Sequence, residues 1–348
     1  MLSNMPVTKY FPRIWSSPKQ KEQIFFKCDP TLQRPLRVGC ICPPPPPPPP
    51  PQLLYITTVA GNGTTGSSGD GGPAISASFN IPRGVAVDSA GNLYISDILR
   101  SSIRKVDAIT RTITTIAGNG VSIVLNQPSG VCIDLTGNVY IADSGNDRIV
   151  KMDMIGIITT ISGITAPRSI CVDSYRNLYV SDSANRIWKV DTSGVVTRFA
   201  GSSSGSAGYT GDGGPALNAQ LNSPYGVCVD SIGNIYIADT NNNCIRKVNT
   251  SGIITTYAQL TSPFGVCIDT SGNMYVSSGN SSLSSIRKID TSGNITTVAG
   301  NGTVGYGGDE GLAQYSILYY PYGVCVDTSG NVYVADESNK RIRKLYYA

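Results

Sequence analysis

Histidine is absent from this 348-residue chain. That one absence removes the Ser-His-Asp triad, the Cys-His dyad, histidine-ligated zinc and imidazole acid–base chemistry. Charge is sparse too, with Asp, Glu, Lys and Arg making up 14% of the residues. No apolar run reaches the length of about 18 residues that a membrane-spanning helix needs, so none is expected. The N-terminal MLSNMPVTKYFPRIWSSPKQKEQ has no continuous apolar stretch, which argues against a standard secretory signal. Nine cysteines, an odd number without framework spacing, point to the cytoplasm or another reducing compartment. The net charge of +4 is uneven, residues 1–53 carrying +5 and the remainder −1. A nearly neutral main body does not advertise binding to a phosphate backbone through bulk charge.

Glycine is plentiful, at 38 residues, and it marks a repeat. One pattern occurs six times: PRGVAVDSAGNLYISD from Pro82, PSGVCIDLTGNVYIAD from Pro128, PRSICVDSYRNLYVSD from Pro167, PYGVCVDSIGNIYIAD from Pro224, PFGVCIDTSGNMYVSS from Pro263 and PYGVCVDTSGNVYVAD from Pro321. The prolines are 46, 39, 57, 39 and 58 residues apart, the range of a four-stranded propeller blade with variable loops. Each unit reads as four short strands. Strand a is of the type GVCVD and a Gly-Asn turn follows it; strand b is NxYIAD, strand c IRKVD and strand d ITTIAG. In the third copy Arg176 stands where the turn glycine is expected, which predicts a less regular turn. In the fifth, Ser278 replaces the second aspartate, which predicts a missing internal polar contact.

The last copy ends without strand d, while an orphan strand d, Leu54–Gly61, precedes the first. Closing a ring with it removes the open ends that a linear array would have to cap and protects sheet edges. The expectation is therefore an all-β, six-bladed propeller over residues 54–348, its sixth blade completed by the N-terminal strand. Residues 1–53 are expected to be a separate disordered, basic, proline-rich tail. Its nine consecutive prolines, Pro43–Pro51, make a polyproline spacer of roughly 28 Å, favoured as a plain linker over a docking motif.

These motifs resemble the NHL repeat over about residues 54–348. The resemblance implies a β-propeller, a fold used by non-catalytic binding modules, by some lyases and lactonase-like hydrolases that use bound metal, and by single-stranded RNA binders. The lyase type relies on histidine ligands, which this chain lacks. The leading expectation is a non-catalytic scaffold for a protein, peptide or glycan, with no cofactor. The alternatives are a calcium-dependent enzyme and an RNA binder.

Strand alternation puts the b–c loops and d–a connections on one face. Three connections are long: 62–81, 202–223 and 301–320. Long loops on a rigid scaffold are the usual carriers of binding function. Each contains a Gly-Asp core, so Asp70, Asp212 and Asp309 are candidate calcium ligands, although a structural turn is the favoured reading because calcium wants several closely spaced oxygens. A short helix is expected after each core, with Pro73 and Pro215 in its first position. Tyr209 and Tyr306 in the inserts, and Arg83, Arg168, Tyr225, Phe264 and Tyr322 near the starts of strand a, are the candidate binding-face residues. The recurring aspartates of strands a and b and the lysines of strand c are read as turn caps and ion pairs within blades. The cysteines of strand a alternate with Ala86, so that register asks for a small buried apolar side chain. Cys244, near a b–c loop, is expected to be more exposed.

Overall fold

Each repeat copy becomes one antiparallel sheet in a computed structural model, which describes residues 53–348 apart from 281 and 282 and the side chain of 280. In blade 1, strands a to d are Pro82–Val87, Leu93–Asp97, Ser102–Val106 and Ile113–Gly118, and they lie in that order across the sheet. Strand a of the following blades is Pro128–Ile133, Ser169–Val172, Pro224–Val229, Pro263–Ile268 and Pro321–Val326. The fold is a six-bladed, all-β propeller. Leu54–Ala60 pairs antiparallel with Arg341–Tyr347, Tyr55 opposite Tyr346 and Thr57 opposite Lys344, so the N-terminal strand is strand d of blade 6 and closes the ring. The tail, including the polyproline run, lies outside the described residues. No helix among the described residues is long and apolar enough to cross a membrane.

Alternating side chains pack blade against blade. Ile103 and Ala117 of blade 1, for example, meet Val131, Val139 and Ile141 of blade 2. At each a–b turn the strand-a aspartate is a cap, as expected. Asp88 Oδ1 accepts the Ala90 and Asn92 N–H groups, and Asp88 Oδ2 accepts the Tyr94 hydroxyl at 3.2 Å. Arg176 corrects an expectation, because its turn has the same hydrogen bonds as the others, Arg176 N–H to Asp173 O at 2.9 Å against Gly91 N–H to Asp88 O at 3.0 Å. Arg176 simply adopts the glycine conformation, with φ of +67° against +86° at Gly91.

The ion pairs use arginine, not the lysine register. Asp143 meets Arg148 at 2.8 Å, Asp239 meets Arg246 at 3.4 Å and Asp336 meets Arg343 at 3.2 Å. Period-two alternation explains this: Asp97 lies opposite Ser102, so Arg104 shares its face and Lys105 points to the other. There Lys105 Nζ sits 5.5 Å from the Tyr94 ring centroid.

The inserts depart most from expectation. They are wedges built into seams between blades and do not form free loops over a face. Ala74, Ala77 and Phe79 are buried between Ile342 of blade 6 and Ile95 and Ile113 of blade 1. Burying Phe79 alone stabilises by roughly 1.5–3 kcal/mol. The same insert covers the outer strand, Gly71 N–H bonding Ile113 O at 2.8 Å and Ala74 N–H bonding Arg111 O at 2.9 Å. The insert before blade 4 repeats this with Gly213 N–H on Ile254 O at 2.8 Å. The predicted short helices are three-residue 3₁₀ turns at Ala74–Ser76, Ala216–Asn218 and Ala313–Tyr315, and Pro73 and Pro215 stand just before theirs rather than inside.

Cys244 is fully buried, the reverse of the expectation, because it already belongs to strand c, where it lies between Asp239 and Gln259 of the flanking strands. Burial pushes its thiol up to about 12. The strand-a cysteines line the narrow central channel as free thiols, likewise raised by burial.

Candidate binding site at the mouth of the central channel

The repeat's Pro-x-Gly start decides what stands at the channel mouth. In five of the six copies a glycine stands where one blade's backbone approaches the next, Ser169 taking the place in the third. A Cβ on Gly265 would lie 2.3 Å from Tyr322 O, and one on Gly323 would lie 2.4 Å from Arg83 O. That carbonyl belongs to the middle residue x of the neighbouring blade. Small strand-b hydroxyls fix it further: Ser181 Oγ donates to Tyr225 O, and Ser277 Oγ to Tyr322 O. Six x residues are thereby held in a ring, and in blade order they are Arg83, Ser129, Arg168, Tyr225, Phe264 and Tyr322.

The ring is chemically two-sided. Phe264 and Tyr322 stack with ring centroids 4.3 Å apart, and Tyr225 meets Tyr322 edge-on at 4.9 Å. The cationic half closes over them, with the Arg83 guanidinium 4.5 Å from the Tyr322 ring and that of Arg168 5.8 Å from the Tyr225 ring. Both contacts are within cation–π range. Across the mouth, Tyr225 Oη lies 2.9 Å from Ser129 Oγ and accepts from Arg83 Nη1 at 3.3 Å. Arg83 Nε donates to Glu337 at 2.9 Å. Burial pushes the Glu337 carboxyl up, against the opposing pull of Arg83, and burial also raises the Tyr322 phenol. Tyr322 is therefore a neutral hydrogen-bonding group at neutral pH.

Above the ring a bowl of about 680 Å³ opens on the face carrying the b–c loops. Its wall includes Ser144 and Thr240, whose hydroxyls bond the carbonyls of Pro167 and Pro263 in the next blade. Of the residues singled out from the sequence, the structure brings Arg83, Arg168, Tyr225, Phe264 and Tyr322 together here. Ser129 completes the ring and was missed. Its signal was positional, since it occupies x in the second copy, but a serine attracts no attention by chemistry.

Tyr209 and Tyr306 do not line the bowl. They cover buried arginines within the insert wedges, Tyr209 lying 5.1 Å from Arg246 and Tyr306 lying 5.0 Å from Arg343. Asp70, Asp212 and Asp309 hold the same arginine register, Arg104, Arg246 and Arg343, at 2.7, 2.6 and 2.6 Å. Their carboxylates thus serve as internal counter-charges. No group of three or more Cys, Asp or Glu among the described residues is placed to hold a metal ion.

The Teneurin NHL domain family matches residues 203–259, and the NHL repeat matches residues 125–152 and 318–345. Together with the six repeat copies and six blades, these matches support an NHL-repeat β-propeller. No curated protein matches it. Solved structures share the fold. An auxiliary nutrient binding protein from Bacteroides ovatus is 17% identical, the match covering 85% of this chain and 77% of that one, with a TM-score of 0.67. A gluconolactonase from Xanthomonas campestris is 13% identical over 85% of this chain and 91% of that one, with a TM-score of 0.59. A virginiamycin B lyase from Staphylococcus aureus, solved with quinupristin as a catalytically inactive histidine-to-alanine variant, is 16% identical over 76% and 80%, with a TM-score of 0.51.

Proposed function

We propose that this propeller is a non-catalytic binding platform whose ligand, a peptide or a protein loop, enters the bowl and rests on the two-sided ring. The observation that carries this reading is the ring's asymmetry. A register that only stabilised blades would repeat, as the strand-a aspartates do, whereas x changes from cationic and hydroxyl side chains to three adjoining aromatics. Aromatic rings offer rigid contact area at low entropic cost, and arginine and hydroxyl groups supply direction. The chain has no histidine, while the lyase neighbour is described as inactive when one histidine becomes alanine. That difference weighs against a shared lyase mechanism. Single-stranded RNA has less support, because Arg83 is already neutralised by Glu337. A glycan is the second reading, favoured by the stacked Phe264–Tyr322 pair and by the nutrient-binding neighbour.

The test is to screen the full chain against a displayed peptide library and an oligosaccharide array, then to repeat it with Phe264→Ala and Arg168→Ala. Saturable peptide hits that weaken by about tenfold or more in Phe264→Ala, with an unchanged circular dichroism spectrum, are expected. Hits only on the oligosaccharide array move the reading to a glycan. Hits indifferent to both substitutions, or none at all, refute the bowl as the site.

A further inference from the structure

The repeats also break symmetry at the rim. In blades 1, 4 and 6 a fully buried arginine of strand c, Arg104, Arg246 or Arg343, grips the aspartate of the preceding insert. The threonine of strand d beside that arginine completes the receptor. Thr58 Oγ1 donates to Asp309 at 2.7 Å and the Thr256 N–H donates to Asp212 at 2.9 Å, and Thr115 occupies the same register opposite Arg104. Each is thus a carboxylate receptor made of one arginine and one threonine, filled from within the chain.

Blade 5 has the receptor without the occupant. Arg287 lies opposite Thr297 as Arg246 lies opposite Thr256. The connection preceding this blade is only residues 260–262, too short to bring an aspartate. The strand-b aspartate that also faces Arg246 and Arg343 is Ser278 here. No carboxylate among the described residues pairs with Arg287. Ser278 and Ser285 are 2% and 3% exposed, and neither hydroxyl has a hydrogen-bond partner. Beside Ser285 is a cavity of about 490 Å³, lined by Leu283, Ser285, Arg287, Thr297, Asn301 and Tyr315 among others. Blades 2 and 3 carry Val150 and Trp188 in the arginine register, so the vacancy with its cation intact is particular to blade 5.

We propose that this rim cavity is a second binding site, separate from the channel mouth, which takes an aspartate carboxylate presented on a glycine-rich turn of a partner protein. Arg287 takes the carboxylate through its guanidinium fork, and Thr297 donates the second hydrogen bond, as its counterparts do to the inserts. The occupant is a carboxylate on a peptide turn because that is what three equivalent receptors hold. Tyr315, 66% exposed, forms a lip for the turn that carries it.

The probe is a synthetic peptide with the sequence of residues 208–221, GYTGDGGPALNAQL, and the same peptide with Asn in place of Asp, titrated calorimetrically into the full chain. Saturable binding of the Asp peptide is expected, weaker by about tenfold or more for the Asn peptide and lost in Arg287→Gln. Ser278→Asp, which supplies an internal carboxylate to Arg287, should block it as well. Phe264→Ala should leave it unchanged; loss of binding there would place the peptide at the channel mouth and overturn the rim site. No saturable binding at millimolar peptide, or equal binding by the Asn peptide or by Arg287→Gln, overturns it too. The melting temperature of Arg287→Gln should stay within about 2 °C of the parent, since no partner is lost. A larger fall would mean that Arg287 already has an internal partner, which also refutes the proposal.

Discussion

Replacing Arg246 by methionine tests the reading of the inserts as clamps. Arg246 is fully buried and is held by Asp212 at 2.6 Å, Asp239 at 3.4 Å and the carbonyls of Gln220 and Thr210, each at 3.3 Å. Methionine fills much of the aliphatic volume but supplies no donor. Asp239, also fully buried, keeps the Asn222 N–H at 2.7 Å and Asn242 Nδ2 at 2.8 Å yet loses its only cation among the described residues. Removing one partner of a buried pair costs about 3–5 kcal/mol, mostly because the stranded charge stays desolvated. At roughly 2 °C per kcal/mol for a domain of this size, the melting temperature should fall by about 6–10 °C in differential scanning calorimetry. Adding Asp239→Asn to the variant neutralises the stranded group, so the double variant should recover about 1 kcal/mol or more. An Arg246→Met protein that melts within about 2 °C of the parent, or a second substitution whose loss simply adds, would refute the clamp.

Three further outcomes follow from single features. Arg176→Gly should stabilise by about 1 kcal/mol in urea denaturation, because a non-glycine residue at φ +67° is strained; equal or lower stability would show the strain is compensated. Deleting residues 54–60 removes strand d of blade 6, so the thermal transition should broaden and fall, whereas an unchanged transition would contradict ring closure by that strand. Burial alone would raise the Asp309 carboxyl, but hydrogen bonds from Thr58 and Tyr306 and the charge of Arg343 outweigh it and hold it below the ordinary range. A carboxyl lowered in the fold contributes stability above its unfolded pKa of about 3.9 and loses it as pH falls through the folded value. The stability gap between the parent and Asp309→Asn should therefore be flat from about pH 7 to 5 and close below about pH 4; a gap that persists into acid would show the carboxylate's charge is not what Arg343 needs.

Most of the propeller was legible because its blades are local. A strand, its Gly-Asn turn and its partner strand lie within one copy of the repeat, so turn chemistry and period-two alternation suffice. Ring closure was legible for a similar reason, an orphan strand at one end matching a missing one at the other. The errors share a cause as well. Asp70 read as a turn residue, with a loop ligand as the weaker alternative, and its ion pair was missed because its partner Arg104 lies 34 residues away, in a strand whose next residue, Lys105, is the more conspicuous repeat position. Arg176 looked disruptive because propensity was weighed without the ladder on either side, which holds the turn whatever residue fills it. Cys244 looked exposed because it borders a loop in the sequence, yet it is the first paired residue of strand c, flanked by Asp239 and Gln259.

That pattern shows where function can be read in a repeated fold. Residues that recur answer the demands of the blade: the aspartate caps, the channel cysteines and the glycine that lets neighbouring backbones meet. A departure is informative only after its structural compensation has been sought. At Arg176 the compensation is found, since the turn keeps its hydrogen bonds, and the departure carries no site. At x it is not found: Ser129 and Arg168 do nothing for their own strands that Tyr225 or Phe264 does, yet all of them face one bowl. At blade 5 the departure is doubled, because Ser278 loses the carboxylate while Arg287 keeps the charge it served. Arg287 is half-buried beside that cavity without a counter-ion among the described residues, and a ligand's carboxylate is the group that complements it.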